Sequence, residues 1–154
     1  MKAESKIRSL VKKNTPKIQW TRLESWSSYG VPDLLGYHDN CGFFMVELKV
    51  QNTDKIHFSP HQRMFHLTRV HRNFVLVQDS RTSSVALYPS NEIHRLMLGA
   101  ARCLALDDWD HIQRLLLAAP LAAGRLPLDA CCLPLCGNHF FRPTLRGSLL
   151  LQVA

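Results

Sequence analysis

The sequence of 154 residues lacks any long apolar run. No stretch approaches the roughly 20 consecutive apolar residues that a membrane-spanning helix needs. The charged opening Met-Lys-Ala-Glu-Ser-Lys also has none of the apolar character of a secretory signal. We therefore expect a cytoplasmic protein without a membrane partner.

The chain lacks an even number of cysteines, since it has five. In a cytoplasmic protein their thiols are expected to stay reduced. Cys131, Cys132, Cys136 and His139 have a spacing that can provide three zinc ligands, but no second cysteine pair stands at zinc-finger spacing. We interpret these thiols as buried or incidental.

Acidic residues are scarcer than basic ones, with 12 Asp and Glu against 19 Lys and Arg and a net charge of +7. A basic surface favours polyanions, so the charge indicates a nucleic-acid partner. The 46% hydrophobic and 20% charged fractions are typical of a folded protein rather than a disordered one. The length suits one domain whose core needs no disulfides.

Apolar spacing along the first 90 residues predicts a mixed α/β fold. The expected elements, in chain order, are a helix over 1–13, strands over 18–23, 33–37 and 43–50, a helix over 60–71, and strands over 74–78 and 85–88. The second and third strands form a hairpin. A strand, helix and strand in succession imply at least one parallel pair in a mixed sheet.

The chain changes character after residue 90. Helical stripes at 93–104 and 109–116 predict two helices, the second with Asp107 as its N-cap. After Pro120 the sequence is apolar but interrupted by prolines, and it predicts no definite secondary structure. We expect 1–90 to form a core and 91–154 a mostly helical extension, in the same domain or at a dimer interface.

The strongest predicted strand contains two charged residues. Glu47 and Lys49 are two residues apart, so they point to one face, roughly 6–7 Å from each other along the strand. Phe43 and Met45 share that face. A carboxylate and an ammonium are unusual in so apolar a strand. An exposed edge-strand pair that only solubilises one face would give the same pattern.

Asp33 follows Gly30-Val31-Pro32 at the start of the preceding strand. A tight hairpin would bring Asp33 beside Glu47, although Pro-Asp is also a common turn pair. Two carboxylates on adjacent strands, with Lys49 beside them, suit phosphodiester hydrolysis. That reaction needs a divalent cation, an activated water and neutralisation of charge at the phosphate.

Three motifs occur in series: Gly30-Val31-Pro32-Asp33, Glu47-Leu48-Lys49 and Ser59-Pro60-His61-Gln62. Over roughly residues 1–90 this series resembles the PD-(D/E)XK nuclease superfamily, most of all its small phage-type and VRR-type nucleases and the Holliday-junction resolvases. The resemblance implies a restriction-endonuclease-like core of a helix, a three-stranded antiparallel meander, a second helix and further strands. It also implies an endonuclease that depends on Mg²⁺, or on Mn²⁺ in its place.

The resemblance implies DNA as the substrate, either duplex or branched like a Holliday junction. It implies a bacterial host's cytoplasm as the location if the protein is phage-encoded. Resolvases of this type cut symmetrically as dimers, so a homodimer is expected in that case. The sequence does not specify which DNA structure is cut.

Roles follow from the resemblance residue by residue. Asp33 and Glu47 would bind the metal, together with the backbone carbonyl of Leu48. Lys49 would orient or activate the attacking water, or neutralise the phosphate in the transition state. Gln62 would reach the active site or the scissile strand. It is equally expected to be the capping-box partner at the start of its helix.

Nucleases of this kind usually have a further acid on the N-terminal helix. Glu4 fits that place, although the helix dipole also favours an acid near a helix start. Glu24, at the end of the first strand, is the rival, and it would reach the metal or its water shell. Its alternative role is a loop acid paired with Arg22. The two assignments do not exclude each other.

Two other functions stay open from the sequence. One is a non-catalytic nucleic-acid-binding module that retains the nuclease fold, and the other is an unrelated basic protein with coincidental motifs. The intact Asp33, Glu47 and Lys49 argue against a binding module, which has no need for buried acids near a polyanion. Three histidines near these motifs are interpreted as solvated surface, with phosphate contact as the alternative: His57, His61 and His66.

Overall fold

The structure is a computed structural model that describes residues 3–24, 30–52 and 56–118. These residues form a β-sheet with helices on both faces. The elements are α1 (Ala3–Asn14), β1 (Gln19–Arg22), β2 (Leu34–His38), β3 (Gly42–Gln51), α2 (Pro60–Thr68), β4 (Asn73–Asp79), β5 (Val85–Pro89), a 3₁₀ turn (Ser90–Glu92), α3 (Ile93–Met97), β6 (Ala105–Leu106) and α4 (Trp109–Leu117). No helix in these ranges is long and apolar enough to cross a membrane.

The six strands lie in the sheet in their chain order. The first three form an antiparallel meander, β3 and β4 are parallel, and β5 and β6 continue antiparallel. A parallel pair needs a crossover connection, and α2 provides it. The predicted fold class is confirmed: a mixed α/β structure with the element order of a restriction-endonuclease-like core.

Alternation along the strands separates two cores. One face of the sheet packs against α1 and α4, and its buried cluster includes Phe44, Val46, Leu48, Ile7 and Ile112. The opposite face lies under α2 and α3, and its buried cluster includes Phe58, Val75, Val77, Tyr88 and Ile93. We call these the α1/α4 face and the α2/α3 face.

Helix α2 begins where its sequence predicts. Ser59 is the N-cap, and its hydroxyl accepts the backbone N–H of Gln62 at 3.2 Å. The side-chain oxygen of Gln62 accepts the Ser59 N–H at 3.0 Å, which completes the capping box. Pro60 occupies the first turn, where no N–H partner is required. This cap fixes the direction of the Gln62 side chain.

The single helix predicted over 93–104 is wrong, because α3 ends at Met97. Gly99 adopts a φ of +72° and turns the chain. The N–H of Leu104 then donates to the carbonyl of Leu87 at 2.7 Å, and β6 follows along β5. Apolar residues spaced for a helix can also pack as a turn and a short edge strand, so the periodicity was ambiguous.

The N-cap of α4 is Asp108 rather than the predicted Asp107. The Asp108 carboxylate accepts the N–H of His111 at 2.8 Å. Asp107 instead has a φ of +52°, and its carboxylate accepts the N–H of Val85 at 2.6 Å. Asp107 therefore ties the end of β6 to β5. Consecutive aspartates offer two N-caps, and this tertiary contact selects between them.

The described part of the predicted extension packs on the sheet. β6 lengthens the sheet beside β5, and α4 buries Ile112 and Leu116 on the α1/α4 face. The division at residue 90 stays a prediction. The cysteine and histidine group at 131–139 lies outside the described residues.

Candidate active site

The register between β2 and β3 places the two predicted acids side by side. Leu34 pairs with Val46, so Asp33, immediately before β2, lies across from Glu47. The Oδ2 of Asp33 accepts the backbone N–H of Leu48 at 2.8 Å. These contacts fix the Asp33 side chain against β3.

Glu47 and Lys49 project to the α2/α3 face, where Gln62 meets them. The Glu47 side chain is 1% exposed, and its Oε1 lies 2.9 Å from the Nζ of Lys49. Lys49 Nζ also donates to the Oε1 of Gln62 at 3.1 Å. The Nε2 of Gln62 donates to the Oε1 of Glu47. Burying a carboxylate is costly unless it is paired and hydrogen-bonded, and this closed ring of contacts supplies both.

Gln62 makes both contacts that the sequence left as alternatives. Its side-chain oxygen caps α2 through the Ser59 N–H and also accepts from Lys49. Its amide nitrogen reaches Glu47. The start of α2 is thereby coupled to the acid and lysine of β3.

Gly30 brings the loop before Asp33 against α2. Its φ is +85°, and an added Cβ would lie 2.4 Å from the backbone carbon and oxygen of His61 and 2.7 Å from the Gln62 nitrogen. Only glycine fits such a left-handed conformation at this distance. The first and third sequence motifs therefore touch through their backbones, a contact that their spacing in the sequence does not reveal.

The surroundings of Lys49 include Phe58, which the sequence did not indicate, and His66. The Lys49 Nζ lies 4.9 Å from the centroid of the Phe58 ring, a cation–π distance. His66, predicted as solvated surface, is fully buried, and that interpretation was wrong. It stands one helical turn after Gln62, a spacing that could have indicated the shared face.

His66 is an uncharged neighbour of this site. Its ring stands edge-on to Phe58 and Phe65, at centroid distances of 6.2 and 6.0 Å. Burial, with a smaller contribution from the Lys49 charge, lowers the pKa of His66 to about 4. The imidazole is therefore neutral near pH 7 and leaves the positive charge of the pocket on Lys49. His57 and His61 are exposed, as expected.

Of the two candidates for a further acid, the structure describes the side chain of Glu24 but not that of Glu4. Glu24 is 56% exposed after β1 and forms an ion pair with Arg22 at 2.6 Å, the alternative role considered for it. Glu4 lies in α1, but its side chain is outside the described residues. The described residues bring together Asp33, Glu47, Lys49 and Gln62, and a further acid stays a prediction.

The donor set at this site suits a hard divalent cation. Within 3–24, 30–52 and 56–118, no group of three or more His, Cys, Asp or Glu residues is arranged around a common metal position. Asp33 lies across from Glu47, and its carboxylate accepts the N–H of Leu48, whose carbonyl is the third expected ligand. Mg²⁺ is commonly held by one or two carboxylates while it keeps several waters. These residues therefore fit Mg²⁺ without a third acid.

No family model and no curated protein matches the sequence. Among solved structures, the chain is similar to a Holliday junction resolvase from the archaeal hyperthermophile Archaeoglobus fulgidus. The two are 14% identical, with a TM-score of 0.45, over 58% of this chain and 74% of the resolvase chain. So distant a likeness carries no argument about activity, and the functional assignment rests on the side chains around Glu47.

Proposed function

We propose that this protein is a metal-dependent nuclease of the PD-(D/E)XK type that hydrolyses phosphodiester bonds in DNA. The observation that carries the proposal is the buried Glu47 carboxylate, held by Lys49 and Gln62 and adjacent to Asp33. Both acids, the lysine and the glutamine come from the three motifs that resemble this superfamily.

The burial of Glu47 also favours catalysis over simple DNA binding. Affinity for DNA comes mainly from Lys and Arg that neutralise phosphates, and a carboxylate opposes it. In the parallel pair with β4, residue 47 stands beside Val75 in the sheet interior. Apolar side chains in place of the Glu47 and Lys49 pair would fill these positions without the cost of a buried charge. A charge retained there is explained by a need to hold a cation.

In this proposal Asp33, Glu47 and the Leu48 carbonyl would hold the metal, which would supply a Lewis acid and an activated water when bound. Lys49, with 19% of its side chain exposed, directs its ammonium to the reacting phosphate and neutralises developing charge. Gln62 and Phe58 orient Lys49. His66, neutral beneath the site, adds no competing charge.

A plasmid-nicking assay tests the proposal. We expect nicking with Mg²⁺ or Mn²⁺, none with EDTA, and none from Asp33→Asn at matched protein concentration. Asp110→Asn, in the exposed first turn of α4, is the matched control and should nick like the wild type. A folded wild-type protein that cuts no DNA with either metal would overturn the proposal. A gel-shift assay would then separate a binding module from an unrelated basic protein.

The finer proposal concerns branched DNA and a homodimer. It is supported by the motif order, which most resembles resolvase-type and VRR-type nucleases. Symmetric cutting of a four-way junction requires two active sites related by a twofold axis. Cleavage of junction, flap and plain duplex DNA, measured beside light scattering of the protein, tests both parts. Faster cutting of plain duplex by a monomer would contradict them.

A further inference from the structure

A second surface continues from the candidate active site along the α2/α3 face. Met45 precedes Glu47 by two residues and shares its face, and Leu35 pairs with Met45 on β2. An open groove passes over these residues to the end of α2. We call it the aromatic groove, and its lining includes Leu35, Phe43, Met45, Arg69 and His71.

The groove presents an aromatic ring to solvent. Phe43 is 62% exposed, although its ring touches the Tyr37 ring across the hairpin, with centroids 4.7 Å apart. Leu35 and Met45 are half-buried beside it. Isolated exposed apolar residues are common, but a contiguous patch with an open aromatic ring indicates a binding surface.

The rim of the groove is cationic. The guanidinium of Arg69 lies 4.5 Å from the centroid of the Phe65 ring, and His71 next to it is exposed. The segment 56–78 contains three Arg and no Asp or Glu. This charge complements a phosphate backbone. A symmetric second copy over the groove would bring two cationic rims together, which argues against a protein dimer at this position.

Arg72 holds the groove in shape rather than facing a ligand. Its guanidinium donates to the carbonyls of Phe43 at 3.0 Å, Ala118 at 2.8 Å and Leu116 at 3.2 Å. These contacts fix the backbone that presents the Phe43 ring. A ring held in this way loses little conformational freedom when a ligand stacks on it.

We propose that the aromatic groove binds unpaired nucleotides next to the cleavage site, with a base stacked on Phe43 and a phosphate at Arg69. Phe43 and Glu47 are four residues apart on one strand, so the ring that would stack a base lies roughly 13 Å from the site. A few nucleotides of an unpaired strand span that distance. Paired bases are already stacked on each other, so an unpaired strand presents free base faces to an aromatic ring.

This inference rests on the proposed function for the identity of the cut strand, but its test measures binding. The probes are a labelled duplex and the same duplex with an unpaired arm, both in EDTA so that no cleavage occurs. Phe43→Ala should weaken binding of the armed DNA about tenfold and of the plain duplex less than about twofold. Phe43→Tyr should retain the arm preference. Leu98→Ala, at an 82% exposed apolar position outside the groove, is the matched control.

A second variant keeps the test informative if Phe43→Ala fails to fold. Arg69→Gln changes an exposed side chain. It should weaken binding of the armed DNA and reduce the salt dependence of that binding by about one unit of slope. Equal losses of affinity for the armed and the plain duplex, or no loss of affinity for either, would overturn the inference. So would a Phe43→Ala variant that turns a dimer into a monomer. Arm preference in a wild type that never nicks plasmid would overturn only the proposed nuclease function.

Discussion

The two faces of strand β3 carry different chemistry. On the α1/α4 face, β3 contributes Phe44, Val46 and Leu48, all apolar. On the α2/α3 face, the same strand buries Glu47 and Gln51, which are 1% and 2% exposed. Because one strand supplies both sets, the difference arises from alternate side chains. Both faces have an apolar core, but only on the second does β3 bury polar side chains.

The polar face has a cost in stability. Among the described residues, neither ring nitrogen of His66 and neither amide atom of Gln51 has a hydrogen-bond partner. A buried polar group without a partner costs about 1–3 kcal/mol. Natural proteins retain such groups mainly where function requires them. We therefore expect substitution of the apolar β3 side chains to act mainly on stability, and substitution of its polar side chains to act mainly on activity.

The largest effect on stability is expected from Phe44→Ala. Phe44 is 2% exposed and stands edge-on to the rings of Trp20 and Phe74. Its truncation should lower the free energy of unfolding by about 3–5 kcal/mol. Urea denaturation measures this. While the variant stays folded it should still nick DNA, and a selective loss of cleavage would remove the contrast between the faces.

Lys49→Ala should show the opposite behaviour. Its ammonium acts mainly in the transition state, so single-turnover cleavage should fall by about 2.7–4 kcal/mol, roughly a hundred- to a thousandfold. DNA affinity in Ca²⁺ should change far less. Because Lys49 also pairs with the buried Glu47 carboxylate, the free energy of unfolding should fall as well, so cleavage is compared under conditions where the variant is folded. A wild-type rate at saturating DNA would show that Lys49 is not catalytic. A uniform loss of affinity instead would make it one of many backbone contacts.

His66→Phe should change how stability depends on pH. The pKa of His66 is about 4 in the folded state, below its ordinary value of 6.5, so the unfolded chain gains a proton first as pH falls. Stability is therefore lost between about pH 6.5 and pH 4, by up to about 3 kcal/mol. The variant should lack this loss. Urea midpoints of both proteins at about pH 7 and about pH 4.5 provide the comparison, and parallel pH profiles would contradict it.

The smallest effect is expected from Gly30→Ala. An added Cβ must displace the backbone at the start of α2, and the alanine must adopt a positive φ. Strain of this kind costs about 1–3 kcal/mol. Because the contact joins Asp33's loop to Gln62's helix, cleavage should fall as well. Gly42→Ala is the control, since its φ of +71° is similar but its Cβ would meet no atom within 4 Å. Equal losses of activity in both variants would assign the effect to φ alone.

The predictable part of the site rests on local geometry. Strand alternation put Glu47 and Lys49 on one face, and a short hairpin placed Asp33 beside Glu47. The capping-box pattern fixed the start of α2. Each of these follows from neighbours close in the sequence, so each is present in the structure.

The unpredicted part depends on packing between distant elements. Gly30 contacts α2, and Phe58 contacts Lys49. No local sequence pattern predicts that these segments approach each other. His66 was assigned to the surface because helical periodicity does not show how much of a helix the sheet covers. The end of α3 at Met97 was missed for a related reason, since β5 offers Leu104 a strand partner.

The central claim is that the buried Glu47 carboxylate is kept for catalysis rather than for the fold. Glu47→Gln tests it most directly, because glutamine has nearly the same shape and no charge. Single-turnover cleavage with Mg²⁺ at saturating DNA is the measurement. We predict loss of detectable cleavage in a variant that still folds. Near-normal cleavage by the folded variant would contradict it.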